Sequence, residues 1–381
     1  MSSREPTTKA SWEIRSFRED DLPRLVELAR IVYGDQHALT NVAYLDWKYT
    51  KNPSGKAVAA VCEQRGQIIG FTALIPQEFE INHATWCFAW GGDLMVHPQF
   101  RRQGVFVAMV QSVFRWSEGK ISLVYGAREL GSPTLRGLFK HFDYVNAGKV
   151  ITVKKYLRTF SAIRHLWFYP KPALRNLVRY LASVADLISS VLISYIISLI
   201  DHAMGLQKKF SGKDQVIQVN EMNRLVFGEE FDSLWEDVGD SLPICVVKTK
   251  EYLNWRYANP TATYIGFRAD RDGVLSGFAV LAYTIQRRLK TAWLVDLLAA
   301  NPDSAARLVE ECLRRARRDQ AHIFKMYDMT LTKNFARSFG LLKTWYKRSL
   351  AVYIADPRIP KDLLSDIANW HVTVADIEDW I

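Results

Sequence analysis

The chain has 381 residues, a length that predicts two domains, and 49% of them are apolar, enough to fill real cores. Its formal net charge of +10 suits an anionic partner, whether a nucleotide-like cofactor, a nucleic acid or an anionic lipid surface. The four cysteines, Cys62, Cys87, Cys245 and Cys312, stand singly with no C-x-x-C pair, which argues against a disulfide framework or a zinc site and fits a reducing cytosol.

Residues 1–11 are polar, do not read as a signal peptide and are expected to be disordered. Residues 12–17 (WEIRSF) alternate as a first strand, and Asp20 and Asp21 lead into an amphipathic helix over 22–32. The aromatic stretch 44–49 (YLDWKY) is closed by Asn52 and Pro53. Residues 58–63 and 67–74 read as strands joined at Arg65-Gly66, and 79–88 continues the meander. A strand over 92–96, a helix from Val105, a strand over 123–126, a short helix over 133–141 and a strand over 150–157 complete the unit. The expected class is α/β on a mixed, partly antiparallel sheet.

Within this unit, residues 93–111 (DLMVHPQFRRQGVFVAMVQ) concentrate the chemistry. Pro98 ends the apolar strand, because proline cannot donate to a ladder. A short basic loop, 100–104, then opens a helix whose apolar residues recur at helical spacing. Loop amides and the free N–H groups of the helix start converge on an anion, and the helix dipole adds to the pull. Gly104 can take a positive φ, and Arg101 and Arg102 supply charge beside it.

This stretch resembles motif A of the GNAT superfamily of acyl-CoA-dependent N-acyltransferases. Val96-His97-Pro98 matches the strand end, and Arg101-Arg102-Gln103-Gly104 the first four positions of the Gln/Arg-x-x-Gly-x-Gly/Ala loop; Phe106 departs from the sixth. The resemblance implies acetyl-CoA as co-substrate, and no metal-ligand cluster is read in the sequence. It implies a thioester carbonyl on backbone N–H groups around Leu94, Met95 and Val96, and a pyrophosphate on Arg101, Arg102, Gln103, Gly104, Val105 and Phe106. A carboxylate or a water chain deprotonates the amine in such enzymes, and Asp93 stands at the head of the strand. His97 and Glu129 are weaker candidates. The usual thiolate-protonating tyrosine falls on Phe139 and the glycine after it on Asp143, so Tyr144 or Tyr125 would have to serve.

The sequence also repeats itself. Residues 252–257 (YLNWRY), closed by Asn259 and Pro260, echo 44–49; Gly277 echoes Gly70, Asp296-Leu297 echo Asp93-Leu94, Pro302 echoes Pro98, and 333–354 echo 134–156. The second copy lacks the basic glycine loop: Asn301-Pro302-Asp303-Ser304 runs into a helix expected over 305–318, with Asp303 as its cap. The expected organisation is an N-terminal GNAT domain over 1–160, a helical linker over 161–212 and a degenerate GNAT-like domain over 213–381. Within the linker, 171–201 carries one narrow polar stripe on an apolar helix behind basic and aromatic residues. Its uncharged run is too short to span a bilayer, so it reads as a helix on an anionic membrane face or as helices buried between domains or copies.

The expected protein is a cytoplasmic, partly membrane-peripheral N-acetyltransferase of the tandem, polysaccharide-associated kind, acting on a small-molecule or glycan amine. A non-catalytic CoA-binding scaffold and an aminoacyl transferase are the alternatives. Homo-oligomerisation stays open, and nucleic acid is not the expected partner.

Overall fold

The computed structural model describes residues 12–157, Leu192, 217–286, 288–328 and 339–377. The stretch 171–201, with its membrane or buried-helix reading, lies outside them apart from Leu192. Among the described residues no helix is long and apolar enough to cross a membrane.

The first half runs β1 (Glu13–Ser16), α1 (Leu22–Tyr33), α2 (Val42–Thr50), β2 (Val58–Gln64), β3 (Gln67–Ile81), β4 (Ala84–Val96), α3 (Val105–Ser117), β5 (Leu123–Glu129), α4 (Pro133–His141) and β6 (Val145–Tyr156). The three meander segments expected over 67–96 are two long strands turning at Asn82 and His83, both at positive φ. Such a turn carries its chirality in two residues and leaves no composition break. Asp21 does more than favour the dipole: it accepts from Arg15 at 2.7 Å and from the Arg18 amide at 2.9 Å, which ties β1 to the start of α1.

The second half repeats the plan with β7 (Ile217–Glu221), α5 (Glu229–Val238), β8 (Ile244–Val246), α6 (Lys250–Tyr257), β9 (Tyr264–Arg271), β10 (Val274–Gln286), β11 (Leu289–Ala299), α7 (Pro302–Arg318), β12 (Ile323–Tyr327) and β13 (Leu342–Ile354). Short α8 (Lys361–Leu364), β14 (Trp370–His371) and α9 (Val374–Ile377) follow. Helix α7 begins at Pro302, earlier than expected, because Asn301 and not Asp303 is its cap: Asn301 Oδ1 accepts from the Ser304 amide at 2.8 Å.

The described strands form one sheet, ordered β1-β2-β3-β4-β5-β13-β6-β12-β11-β10-β9-β7, with β8 and β14 off its path. The last strands of the two halves are exchanged. β13 pairs with β5, Leu350 facing Ala127, and β6 pairs with β12, Val153 facing Met326. β13 and β6 then pair antiparallel with each other down the centre of the molecule. The chain-order division near residue 160 is therefore not a division of the sheet. One large apolar cluster runs through both halves, from Leu25 and Phe71 to Leu297 and Leu308, and a smaller one lies under α3.

The repeated aromatic stretches are α2 and α6, and they meet each other. Trp47 Nε1 donates to the Trp255 carbonyl at 2.7 Å, Trp255 Nε1 returns the bond to the Trp47 carbonyl at 3.0 Å, and the two indoles stack at 5.1 Å. This reciprocity is that of a two-fold contact inside one chain.

Candidate active site

β4 and β5 run parallel and pair only from Phe88–Leu123 to Trp90–Tyr125. Beyond that the ladder ends, and β5 is held by β13 on its other side. Past Trp90–Tyr125 no ladder pair joins residues 91–96 of β4 to 126–129 of β5, and this parting of the strand ends is the candidate cleft. β4 also bulges there. Its register with β3 steps from Phe71–Met95 to Ala73–Gly92, so Thr72 faces both Asp93 and Leu94. Asp93 takes the left-handed conformation, φ 52°, an arrangement uncommon outside turns and enriched at functional sites.

At the bulge, Asp93 Oδ2 pairs with the Lys48 ammonium and accepts from Tyr49 Oη at 2.9 Å. Lys48 is 2% exposed and lies 4.3 Å from the Trp90 ring centre. Asp93 Oδ1 has no hydrogen bond among the described residues, and the side chain keeps 10% exposure. Tyr33 Oη donates to the Leu94 carbonyl at 3.4 Å; burial, then the Asp93 charge, pushes its pKa up to about 12, so it stays protonated. Of the strand residues, Met95 is buried in the main core while Leu94 and Val96 pack against the α3 cluster.

The loop after β4 has the geometry its sequence predicts. Residues Pro98–Phe100 make a tight turn that His97 caps, its Nδ1 accepting from the Gln99 amide at 3.3 Å. That gives His97 a structural task. Arg101 Nε donates to the Val96 carbonyl at 3.2 Å, and Gln103 Nε2 to the Gln99 carbonyl at 2.9 Å. Arg102 and Gly104 both sit at positive φ, 65° and 82°. Gly104 is the N-cap of α3, and no side chain caps the helix. The first-turn N–H groups are thus left to solvent or to an anion, and Arg101, Arg102 and Gln103 are all exposed beside them. Phe106, the departure from the family pattern, turns away: its ring lies against Gly137 of α4 and edge-on to Phe142 at 6.3 Å. A Cβ at position 137 would lie 3.0 Å from that ring, which would have to shift by a few tenths of an ångström, a complementarity invisible without the fold.

The remaining candidates separate. Tyr125 is fully buried, its hydroxyl bonded to Gln77 and, at 2.9 Å, to the Asp376 carbonyl, so it cannot reach the cleft as an acid. Tyr144 is half-buried against Phe114 and Tyr353 and within electrostatic range of Arg128; burial holds its pKa above the ordinary phenol range. Glu129 is exposed at the end of β5, facing Arg348 in register. Sequence reasoning missed Lys48, Tyr49, Tyr33 and Arg128. The available signal was a lysine set among aromatics in YLDWKY. It missed as well a surface trio, Glu80, His83 and Asp240, whose ligand atoms lie within 4.8 Å of one another and whose members come from both halves. His83 Nδ1 is 2.6 Å from Asp240 Oδ1, and burial and then the Asp240 carboxyl raise the Glu80 pKa.

The family model for the acetyltransferase (GNAT) domain matches residues 13–129, the stretch that carries β1 to β5, the bulge and the glycine loop. Residues 13–129 are a GNAT domain. The family is one of N-acyltransferases, so the enzyme class follows from the domain. No curated protein matches this sequence significantly. Among solved structures, the chain resembles a GCN5-related N-acetyltransferase from Anabaena variabilis with a TM-score of 0.59 and 11% identity, covering 91% of this chain and 73% of that one. It resembles Saccharomyces cerevisiae N-myristoyltransferase with bound myristoyl-CoA at 0.57 and 12%, covering 93% and 81%. A probable N-acyltransferase from Enterococcus faecalis gives 0.57 and 10%, covering 91% and 73%. At these identities the likeness is one of fold, and it spans both halves of the chain beyond the GNAT domain itself.

Proposed function

We propose that the chain moves an acyl group, in the simplest case acetyl from acetyl-CoA, to an amino group by direct attack in a ternary complex at the N-terminal cleft. The acceptor class that fits best is the amine of a sugar nucleotide or a cell-envelope glycan precursor. The stretch 171–201 supports that choice, since its polar stripe and basic flanks suit the cytoplasmic face of an anionic membrane.

One observation carries the reading. The half that keeps an uncapped, glycine-started helix is also the half whose strand-head aspartate keeps an uncommitted carboxylate oxygen. Arg101, Arg102, Gln103 and the N–H groups from Gly104 to Phe106 would hold the pyrophosphate, and the backbone around Leu94, Met95 and Val96 the thioester carbonyl. When bound, the thioester supplies the activated acyl group. Asp93, oriented by Lys48 and Tyr49, takes the proton that the amine loses as the N–C bond forms. Tyr144, kept protonated by burial, gives a proton to the sulfur as the C–S bond breaks. Glu129 is the exposed second acid at the mouth of the cleft.

The test is transfer of labelled acetyl from acetyl-CoA into the amine fraction of a cell extract, with Asp93→Asn beside the unaltered chain. The expected result is incorporation with stoichiometric CoA release, a loss of about 10²–10⁴-fold in the variant, and unchanged CoA affinity by calorimetry. CoA binding without incorporation would mark a scaffold. Incorporation from aminoacyl-tRNA without CoA release would mark an aminoacyl transferase. Either would overturn the reading.

A further inference from the structure

The side chain of Arg128 lies across the crotch where β4 and β5 part. Its Nη2 donates to the Gly91 carbonyl on the opposite strand, and its Nη1 to the Ala127 carbonyl at 3.2 Å. The crotch is narrow: a Cβ built on Gly126 would lie 3.3 Å from the Gly91 oxygen and 3.4 Å from the Arg128 guanidinium. Arg128 makes no ion pair among the described residues, and its Nε has no hydrogen bond there. Burial pulls its pKa below the ordinary arginine range, and the Arg348 guanidinium, brought in on the exchanged strand β13, pulls the same way. The groups that oppose this are the Tyr144 and Tyr33 hydroxyls and Asp93, whose Oδ2 is held by Lys48 and Tyr49 and none of whose oxygens bonds Arg128.

A guanidinium has five donors in a fixed fork, and leaving such a charge half-buried without a counter-charge is costly. The second half shows the alternative. Counting from the first pair of each parallel ladder, Phe88–Leu123 and Thr291–Ile323, the position of Arg128 falls on Asp328. There an acid is paired with Lys343 at 3.1 Å, and the charge is balanced inside the protein. At the position of Arg128, among the described residues, the half with the anion loop thus holds a guanidinium without an ion pair where the other half holds a paired acid.

We infer that Arg128 seats an anionic group, a carboxylate or phosphate, carried by a substrate into the cleft between β4 and β5. The inference rests on the acyl-CoA reading above and deepens it by naming the charge of what is bound. The anion has two sources. It is the free carboxylate of a dicarboxylic acyl group, or it is a carboxylate or phosphate on the amine acceptor, with Arg348 and Tyr144 beside it in either case. Arg128 acts here as a specificity-determining residue. A bidentate partner suits its fork, so the preference should depend on arginine geometry as well as charge.

Calorimetry on the full chain tests this in two arms. In the first, acetyl-CoA is compared with succinyl-CoA. In the second, with CoA saturating, glucosamine is compared with glucosamine 6-phosphate and ethanolamine with glycine. The expected result is a preference of about tenfold or more for the anionic member in one arm, the scale of one charged hydrogen-bonded pair. Arg128→Gln should bring that preference to within about twofold while CoA itself binds as before, and Arg128→Lys should retain part of it. The arm that responds names the source. Absence of any preference in the unaltered chain, or a preference that survives Arg128→Gln, overturns the inference and leaves the acyl-CoA reading standing. Failure of the unaltered chain to bind CoA at all removes that reading, and this inference with it.

Discussion

Both halves surround the strand-head aspartate with a lysine and a tyrosine, but Lys48 lies within α2 whereas Lys248 precedes α6, the repeat placing Arg256 at the position of Lys48, and the two groups are used differently. In the first, Lys48 and Tyr49 hold Asp93 by one oxygen, beside a cleft. In the second, Asp296 takes Lys248 at 3.1 Å and Tyr257 at 2.8 Å on Oδ2 and the Leu297 amide at 3.0 Å on Oδ1. Asp376 of α9 then adds a second carboxylate to Lys248 at 2.5 Å, and the whole group is sealed from solvent. Burial works against the Lys248 charge, yet the two carboxylates outweigh it and keep the ammonium above its ordinary pKa. A constellation that leaves one carboxylate oxygen open at its edge can meet a substrate; one that is dry and fully satisfied is a structural lock.

That contrast breaks most readily at the lysines. Lys248→Met should cost about 3–5 kcal/mol in urea unfolding, because it leaves Asp296 and Asp376 buried without a counter-charge. Lys48→Met should cost clearly less, since Asp93 keeps Tyr49 and some water, and should lower acyl transfer. Equal losses of stability would mean that the first site is as much a lock as the second. At the anion seat, Arg101→Ala should weaken CoA binding by roughly 1–3 kcal/mol. Gly104→Val should do at least as much, because valine resists a φ of 82° and its side chain would enter the open space over the loop. Titration of the unaltered chain should give one CoA, since α7 is capped by Asn301 and preceded by Pro302, which has no N–H. Two sites, or an Arg101→Ala variant that binds as before, would show that the loop is not the seat. The smallest effect is Asn301→Ala: about 1 kcal/mol of stability through the lost cap, with CoA affinity untouched.

How far the sequence alone reaches depends on how local each signal is. The glycine loop, the strand before it and the helix after it are encoded within twenty consecutive residues or so, and they appear where the pattern puts them. The duplication is legible because YLDWKY and YLNWRY are both kept, for a reason the structure supplies: Trp47 and Trp255 bind each other. The cap of α7 is ambiguous by two residues in the sequence, because Asn301 and Asp303 are both good caps and only backbone geometry separates them. Lys48 and Lys248 are not legible in the sequence because a lysine ordinarily reads as surface, and their partners lie on other elements. Arg128 ends an ordinary apolar strand, and nothing nearby in the chain marks the cleft it crosses. The exchange of β6 and β13 leaves no trace in periodicity. Either strand presents the same alternation to either neighbour, so the choice between them is made by tertiary packing.

The exchange also sets an order of events at synthesis. β5 waits for β13, which leaves the ribosome roughly 200 residues later, on the order of ten to forty seconds at about 5–20 residues per second. Through that interval the nascent first half holds its glycine loop and its aspartate but presents β5 as an open edge, able to pair with any other chain that offers a strand. The cleft wall that bears Arg128 is therefore finished only when β13 arrives.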